Sequence, residues 1–326
     1  MRLRPSSLQL LLLAVLLPAA GCVSMRPYAE AVRGLPEGRL IEVDGRRISV
    51  ERAGEGPPLV LLHGFGESTL AYAAVLPELA KQFAVVAIDL NGFGFTERPK
   101  DRASYSLAGQ ERLVLAVLDR LHLDRVRLAG HSYGGGLALY LAARHPERID
   151  RLLLIDNTLP LYASQRRSRL FRWRWVAQMA AHTFALTDRV IRSGLRQAYY
   201  DDSKVTPALV RDYADRLRIE GATDAFFGLV GPSVEPPFRI DLATVAIPTL
   251  VVWGAEDRLI EATAARKTSS QLPNARFVVL PACGHTPMEE CPEAFLAAVL
   301  PFLVGGEPGA AGGIQGPAPA FCRAGS

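Results

Sequence analysis

Gly130-His131-Ser132-Tyr133-Gly134 decides the fold, because of the segments on either side of it. A β-prone segment, 125–129, precedes this stretch, and an apolar segment with helical spacing, 135–144, follows it. A serine between two glycines at a strand-to-helix junction predicts a nucleophile elbow, a tight turn that presents the serine hydroxyl at the end of a sheet. Side chains at the two glycine positions would collide across such a turn. Ser132 is therefore the candidate nucleophile.

Strand and helix patterns alternate along the chain around this elbow. A hairpin around Asp44-Gly45 is followed by continuous apolar runs, which are typical of strands buried on both faces. The predicted strands are 41–43, 47–51, 58–62, 83–88, 125–129, 149–155, 247–253 and 275–280, and the predicted helices are 72–82, 106–121, 135–144, 261–272 and 292–303. The alternation predicts an α/β fold with a mostly parallel, doubly wound sheet.

The alternation stops after the sixth predicted strand. Residues 158–240 are helical in character and predict a helical cap, inserted into an α/β core that comprises 39–157 and 241–304. Residues 23–38 are expected to form a linker. The Gly-, Pro- and Ala-rich segment 305–326 cannot bury enough apolar surface to fold, so we expect it to be disordered.

The first 22 residues have the pattern of an export signal. Two arginines precede the apolar run 8–17, which is too short to span a bilayer, and small residues then lead to Cys22. This end resembles the lipobox of bacterial lipoproteins, in which the cysteine is lipidated, although Ala19 stands where leucine is usual. A plain cleaved signal and an uncleaved anchor are the alternatives. In each case we expect the folded part to be exported, and lipidation would anchor it to the bacterial cell envelope, at the outer membrane or in the periplasm.

Downstream of Ser132 the chain offers an acid and a base in the order that a hydrolase triad requires. Asp257 follows the predicted strand 247–253, and His285 lies just past the predicted strand 275–280. The carboxyl ends of parallel strands meet at the edge of the sheet where ligands bind. We predict that His285 takes the Ser132 proton, while Asp257 orients the imidazole and stabilises its charged form.

Two other acids and two other histidines compete for these roles. Asp156 ends the strand before the cap, where some hydrolases place the acid, and Glu256 adjoins Asp257. His131 inside the elbow and His63 after the third strand are expected to have structural rather than catalytic roles. The favoured triad therefore takes its acid from the loop after the seventh strand.

The loop after the third strand supplies a second element of acyl-transfer chemistry. In His63-Gly64-Phe65-Gly66 the glycines allow the backbone to approach a substrate closely. We predict that the N–H groups of Phe65 and Tyr133 form an oxyanion hole, where loss of one donor typically costs about 3 kcal/mol of transition-state stabilisation.

Aromatic residues of the predicted cap indicate where an apolar part of the substrate binds. Tyr199, Tyr200, Phe226 and Phe227 are expected to line or pack an apolar acyl or alkyl pocket. A second stretch, 171–175, alternates aromatic residues with arginines. We interpret it as a cap helix with buried aromatic rings, and a membrane-facing patch is the alternative.

Taken together, these motifs resemble the α/β-hydrolase fold family, in its capped, esterase-like or lipase-like form. The resemblance covers roughly 39–303 and rests on motifs in register at 63–66, 89–94, 130–134, 253–257 and 284–285. It implies a serine hydrolase that cleaves a carboxylic ester or similar acyl substrate through an acyl-enzyme. Epoxide hydrolases and haloalkane dehalogenases resemble the chain elsewhere but use aspartate at the elbow. Carbon–carbon bond hydrolases and cofactor-free haloperoxidases keep serine there and stay open, as does a non-catalytic binding protein on the same scaffold.

Composition limits the partners. The net charge of +4 is modest and its arginines are spread along the chain, which does not favour a nucleic-acid partner. No His/Cys cluster has metal-ligand spacing, so neither a metal nor another cofactor is expected. The expected partners are a small-molecule ester or acyl substrate and, through the lipid anchor, a membrane; the oligomeric state stays open. Cys283 and Cys291 are interpreted as free thiols, with a disulfide as the alternative in an oxidising compartment.

Overall fold

The structure is a computed structural model, and it describes residues 24–158, 186–230 and 240–306. Its strands are β1 (Leu40–Val43), β2 (Arg46–Ala53), β3 (Pro58–Leu62), β4 (Ala84–Ile88), β5 (Val126–His131), β6 (Ile149–Ile155), β7 (Thr249–Gly254) and β8 (Ala275–Leu280). Its α-helices in the described ranges are α1 (Tyr28–Ala31), α2 (Leu76–Leu79), α3 (Leu107–Arg120), α4 (Ser132–Arg144), α5 (Asp188–Ala198), α6 (Pro207–Leu217), α7 (Ala222–Val230), α8 (Ala262–Ser269), α9 (Pro287–Glu290) and α10 (Pro292–Leu303). Short 3₁₀ helices span Thr69–Tyr72, Arg102–Tyr105, Pro146–Arg148, Asp202–Lys204 and Leu242–Thr244.

The eight strands form a single sheet in the order β1-β2-β4-β3-β5-β6-β7-β8. Strands β3 to β8 pair in parallel, and β1 and β2 join one edge as antiparallel strands. The α/β class with a mostly parallel sheet is therefore confirmed. Strand β5, which leads into the elbow, lies in the middle of the sheet between β3 and β6.

Both faces of the sheet are buried, as the continuous apolar strands predict. In β3, Val60 and Leu62 belong to the core on one face, while Leu59 and Leu61 belong to the core on the other. Apolar side chains of α3 and α4 fill the first core, and those of α10 fill the second. Helices cover both faces of the sheet. In such α/β folds, ligands bind at the edge formed by the carboxyl ends of the strands.

One predicted helix differs in the structure. The segment 72–82 is not continuous: a 3₁₀ turn ends at Tyr72 and the four-residue α2 begins at Leu76. Pro77 lies at the start of α2 and has no N–H to donate to an upstream carbonyl, which separates the two turns. Elsewhere the predicted segments 58–62, 149–155, 275–280 and 292–303 have the observed bounds.

The described part of the segment between β6 and β7 is helical. Helices α5 and α6 pack on each other around a small core of their own, which includes Ile191, Leu195 and Val210. The stretch 171–175, Cys22 with the rest of the signal segment, and the tail after 306 lie outside the described residues. Among the helices that are described, none combines the length and the apolar character needed to cross a membrane.

Cys283 and Cys291 form a disulfide, with their Cα atoms 6.2 Å apart. The interpretation as free thiols is therefore wrong. The reason is that α9 folds the chain back after β8, which brings the two cysteines together across eight positions of sequence. The segment that the disulfide closes contains His285.

Candidate active site

Ser132 lies in the tight turn that the sequence predicts. Its φ is 48°, in the left-handed region that non-glycine residues rarely adopt, and it begins α4 directly after β5. A Cβ on Gly130 would lie 2.3 Å from the Gly134 oxygen, and a Cβ on Gly134 would lie 2.4 Å from the Leu62 oxygen. Only glycine fits at either position, so the strained serine is held at the N-terminus of a helix, where the helix dipole favours negative charge.

His285 and Asp257 are joined by a hydrogen bond. The distance from Nδ1 of His285 to Oδ2 of Asp257 is 2.8 Å, and both side chains are almost fully buried. The other oxygen of Asp257 accepts from the backbone N–H groups of Leu259 and Ile260. Burial raises the pKa of the Asp257 carboxyl, but the hydrogen bond and charge of His285 and these two N–H groups outweigh burial and lower that pKa. Asp257 is therefore held as a carboxylate against the imidazole.

Ser132 and His285 line one cavity of about 450 Å³, which extends from the end of the sheet to the cap helices. Its walls are mainly apolar. They include Phe65, Phe93, Ile191, Leu195, Ala198, Leu217, Phe226, Leu229 and Leu259. Ligand pockets typically have volumes of about 300–1,000 Å³ and mostly apolar walls, so this cavity can hold a small apolar substrate against both residues.

Phe65 and Tyr133 lie on neighbouring segments beside this cavity. Phe65 belongs to the loop after β3 and lines the cavity with Ser132, and Tyr133 is the second residue of α4. The two segments are close because Gly134 packs directly against the Leu62 and His63 carbonyls. The structure thus brings both predicted oxyanion-hole residues to the elbow.

Glu67 and His131 form a buried pair beneath the elbow. Oε2 of Glu67 lies 2.9 Å from Nδ1 of His131 and also accepts from the Gly64 N–H. Burial lowers the pKa of His131, but the charge and hydrogen bond of Glu67 outweigh burial and raise it. The other ring nitrogen of His131, Nε2, lies 2.7 Å from the His285 carbonyl oxygen. The pair therefore ties the elbow to the loop after β3 and to the backbone of His285.

His63 has the structural role that the sequence predicts. Its Nε2 accepts from the Leu90 N–H, and its ring packs edge-on against Phe93. Its other ring nitrogen, Nδ1, lies 2.8 Å from the Gly64 oxygen. His63 therefore connects the loop after β3, which carries Phe65, to the segment after β4.

Two glutamates of α9 connect the His285 loop to the cap. Glu289 accepts hydrogen bonds from the hydroxyl groups of Tyr199 and Tyr213, at 2.9 and 2.6 Å. Glu290 accepts from three backbone N–H groups, those of residues 200, 201 and 284. The His285 N–H itself donates to the Ala198 oxygen at the end of α5, at 2.6 Å. The cap and the proposed base are therefore one hydrogen-bonded unit.

The four cap aromatic residues have different roles. Phe226 lines the cavity, whereas Tyr199 and Phe227 are buried and Tyr200 is exposed. In the described part of the chain, one group of three potential metal ligands, Asp156, Asp257 and His285, has its atoms within 4.8 Å of one another. Within this group, Asp257 is hydrogen-bonded to His285, and Asp156 accepts the Gly254 N–H.

The sequence reasoning missed Glu67, Glu289 and Glu290. Glu67 lies 64 positions from His131, and no local pattern indicates that contact. The sequence contains only a weak signal for α9. Thr286-Pro287, followed by two acidic residues, is typical of the start of a helix, but a helix of four residues has no periodic pattern to support it.

Comparisons with known proteins agree with this geometry. Residues 57–292 match the α/β hydrolase fold family. A 2-hydroxymuconate semialdehyde hydrolase of Pseudomonas sp. strain CF600 is 31% identical over 301 residues, covering 84% of this chain and 96% of that protein. A pimeloyl-[acyl-carrier protein] methyl ester esterase of Aeromonas hydrophila is 30% identical over 268 residues, covering 78% and 99%. The crystal structure of a membrane phospholipase A, described as a bacterial virulence factor, is 27% identical with a TM-score of 0.65, covering 92% of this chain and 91% of that one.

Proposed function

The chain belongs to the α/β-hydrolase fold family and is a hydrolase; from this premise we propose that it cleaves carboxylic esters with Ser132 as nucleophile. The observation that carries the proposal is the hydrogen bond of 2.8 Å between Asp257 and His285, in a site where His285 and the strained Ser132 line the same cavity. A serine hydroxyl needs an oriented base to become a nucleophile at neutral pH, and this arrangement supplies one.

The proposed reaction has two halves. Ser132 Oγ attacks the ester carbonyl while Nε2 of His285 takes its proton, and Asp257 stabilises the imidazolium that forms. The oxyanion that develops accepts hydrogen bonds from the N–H groups of Phe65 and Tyr133. The carbonyl bond re-forms, the alcohol leaves with the proton from His285, and an acyl-enzyme stays on Ser132. Water, deprotonated by His285, then releases the acid and regenerates the serine.

An ester with an apolar acyl or alkyl part fits the cavity best. The walls near Ser132 are aromatic and aliphatic, and burying such a group stabilises binding by about 25 cal/mol per Å² of apolar surface. Relatives named as a methyl ester esterase and as a phospholipase A support the same substrate class.

Hydrolysis of a carbon–carbon bond is the second candidate. A relative that matches 84% of this chain is named a semialdehyde hydrolase rather than an esterase. The same three side chains serve both reactions, so the substrate decides between them.

For the location, we propose export and attachment to the cell envelope through a lipid on Cys22. The disulfide between Cys283 and Cys291 supports an oxidising compartment. Ser24 shares a surface depression with Thr187 and Asp188 at the start of α5. The preceding residue, Leu186, lines the active-site cavity. A lipid two residues before Ser24 would therefore hold the cavity close to a membrane.

The experiment is a substrate panel of short and long chromogenic esters and a vinylogous 1,5-diketone, assayed with the exported protein. We expect Ser132→Ala to lower ester turnover at least about 1,000-fold while the near-ultraviolet circular dichroism stays unchanged. Ser270→Ala, which alters an exposed serine, is the matched control and should keep full activity. Ester turnover in Ser132→Ala equal to that of the parent protein would refute the proposal. Faster turnover of the diketone than of every ester would instead identify carbon–carbon bond hydrolysis as the function of the same site.

A further inference from the structure

Asp156 lies next to the proposed catalytic acid without contacting the substrate cavity. It is the first residue after β6, and β6 pairs with β7, whose end leads to Asp257. Oxygens of the two carboxyl groups and a ring nitrogen of His285 all lie within 4.8 Å of one another. Asp156 is fully buried and has a φ of 39°, a strained value that Asp and Asn tolerate better than other side chains.

The two oxygens of Asp156 have different surroundings. Oδ1 accepts the Gly254 N–H at 2.9 Å. Oδ2 is buried and receives no hydrogen bond from any donor. An acceptor buried without a donor costs free energy, and a proton on Oδ2 would remove that cost by making it a donor. The nearby carboxylate of Asp257 is an acceptor for such a proton.

Two buried carboxyl groups this close do not both ionise, so one of them keeps a proton. Asp257 accepts from the His285 ring and from two backbone N–H groups, which favour its charged form. Asp156 accepts from one backbone N–H only. Burial raises the pKa of Asp156 well above its ordinary value, and the charge of Asp257 adds to that rise. The proton therefore resides on Asp156 at neutral pH.

Gly254 connects Asp156 to the loop that carries His285. A Cβ on Gly254 would lie 1.9 Å from the Gly284 oxygen, so the end of β7 and the His285 loop are in direct backbone contact. The Glu256 N–H also donates to the Cys283 oxygen, at 2.9 Å. A group that fixes Gly254 thus fixes the spacing between the acid loop and the histidine loop.

We propose that Asp156 is a positioning residue of the proposed triad, a neutral carboxylic acid that holds Gly254 through Oδ1 and donates its Oδ2–H to the carboxylate of Asp257. This inference rests on the proposed function of Ser132, Asp257 and His285. The donated hydrogen bond orients Asp257 toward Nδ1 of His285. It also shares the negative charge of Asp257 with the Oδ2–H of Asp156.

Two substitutions at Asp156 separate a neutral donor from a charged group. Asp156→Asn keeps an oxygen for Gly254 and an N–H for Asp257, tolerates the positive φ, and has no charge. We expect kcat/KM within about threefold of the parent protein, and we expect the pH of half-maximal kcat/KM on the acid limb to be unchanged. If Asp156 is ionised instead, the same substitution removes a negative charge near His285 and moves that limb to lower pH, which would overturn the proposal.

Asp156→Gly removes the carboxyl without straining the backbone. We expect kcat to fall about tenfold or more because Asp257 is no longer oriented. The acid limb of kcat/KM should move to higher pH, by about 0.5 pH units, because Asp257 then presents its whole negative charge to the imidazole. A folded glycine variant with the parent kcat and pH profile would overturn the positioning role. The other titratable groups around His285 are His131 with its partner Glu67, and Glu289 and Glu290 on its own loop; all are the same in the variants.

Infrared spectroscopy keeps the test decisive if the glycine variant does not fold. The difference spectrum between the parent protein and Asp156→Asn at neutral pH should contain the carbonyl stretch of a protonated carboxylic acid, and its absence would overturn the proposal. A failure of the proposed function would be seen in a different experiment, as ester hydrolysis that persists in Ser132→Ala. Loss of activity in Ser132→Ala, together with a downward shift of the acid limb in Asp156→Asn, would refute the inference about Asp156 alone.

Discussion

At Ser132 the backbone adopts a strained conformation that the surrounding residues enforce. The φ of 48° is unfavourable for a serine, and such strain costs of order 1–3 kcal/mol. The close approach of the backbone at Gly130 and Gly134 leaves the chain no other path between β5 and α4. Packing on both sides of the turn therefore maintains the strain. The strained turn places the Ser132 side chain in the wall of the cavity.

A Cβ at Gly130 should break this turn. Gly130→Ala places a methyl group 2.3 Å from the Gly134 oxygen, so we expect the free energy of unfolding to fall by about 3 kcal/mol or more in urea denaturation. Gly194→Ala is the control. Gly194 lies in the middle of α5, and a Cβ at this position would meet no other atom within 4 Å. It should raise the free energy of unfolding by about 0.5–1 kcal/mol. Equal stability of the two variants would contradict this account of the elbow.

At the scale of single residues, sequence reasoning succeeds where chemistry follows a local pattern. The glycines around Ser132 and the position of His285 after a strand are signals within a few residues. The contact of Glu67 with His131, and the single proton that we propose for Asp156 and Asp257, depend on segments that meet only in the folded chain. No pattern in the sequence indicates such contacts.

Helix α9 is the element that links chemistry to the cap. It has four residues, and two of them, Glu289 and Glu290, accept hydrogen bonds from the cap segments. The disulfide between Cys283 and Cys291 closes the segment that contains both this helix and His285. A movement of the cap would therefore act on the backbone of His285.

Glu289 should give this element a pH-dependent stability. Burial, with the charge of Glu67, raises the pKa of Glu289 from 4.5 to about 7. Between these values the folded state binds more protons than the unfolded state, so this contribution to stability falls by about 3 kcal/mol as the pH rises through that window. Glu289→Gln cannot lose a proton. We expect its free energy of unfolding, relative to the parent protein, to increase from pH 4.5 to pH 7 in parallel denaturation series.

The control for this prediction is Glu293→Gln, which removes an exposed carboxyl from the first turn of α10. Its stability difference from the parent protein should be nearly constant over the same pH range. A constant difference for Glu289→Gln as well would show that Glu289 titrates as an ordinary surface acid.

Strands were easier to predict than short helices. Strands β3, β6 and β8 were predicted with their observed bounds because buried parallel strands are uninterrupted apolar runs between polar turns. The split of 72–82 at Pro77 and the existence of α9 were not predicted. A helix of one turn gains little from its own hydrogen bonds, so its contacts with the rest of the fold decide whether it forms.

On the scale of the whole molecule, three of the six large apolar residues that are exposed in 24–158, 186–230 and 240–306 line the cavity. Phe65, Phe226 and Leu259 line it and are also exposed, so they lie at its mouth. Val190, on α5 beside the cavity-lining Ile191, is 44% exposed. Ser24 lies in a surface depression beside the start of α5, so this arrangement is what the proposed attachment to the cell envelope requires.

Val190 and Val304 offer a matched pair of substitutions for this orientation. Val190→Glu places a charge on α5 next to the cavity-lining Ile191, and Val304→Glu places one after α10, where the valine is 52% exposed. We expect Val190→Glu to hydrolyse an acyl lipid in vesicles about tenfold more slowly, because a charge replaces apolar surface that would enter the interface. Val304→Glu should equal the parent protein, and both variants should keep normal turnover of a soluble short-chain ester. Equal vesicle turnover by all three proteins would contradict the proposed orientation.

The central claim is that Ser132 is activated for attack by His285. The most direct measurement is intact-protein and peptide mass spectrometry after reaction with an alkyl fluorophosphonate, carried out on the parent protein, Ser132→Ala and Ser270→Ala. The account predicts one adduct per chain, located on the peptide that contains Ser132, in the parent protein and in Ser270→Ala, and none in Ser132→Ala. An adduct on another residue, or full ester turnover by a chain that takes up no fluorophosphonate, would contradict it.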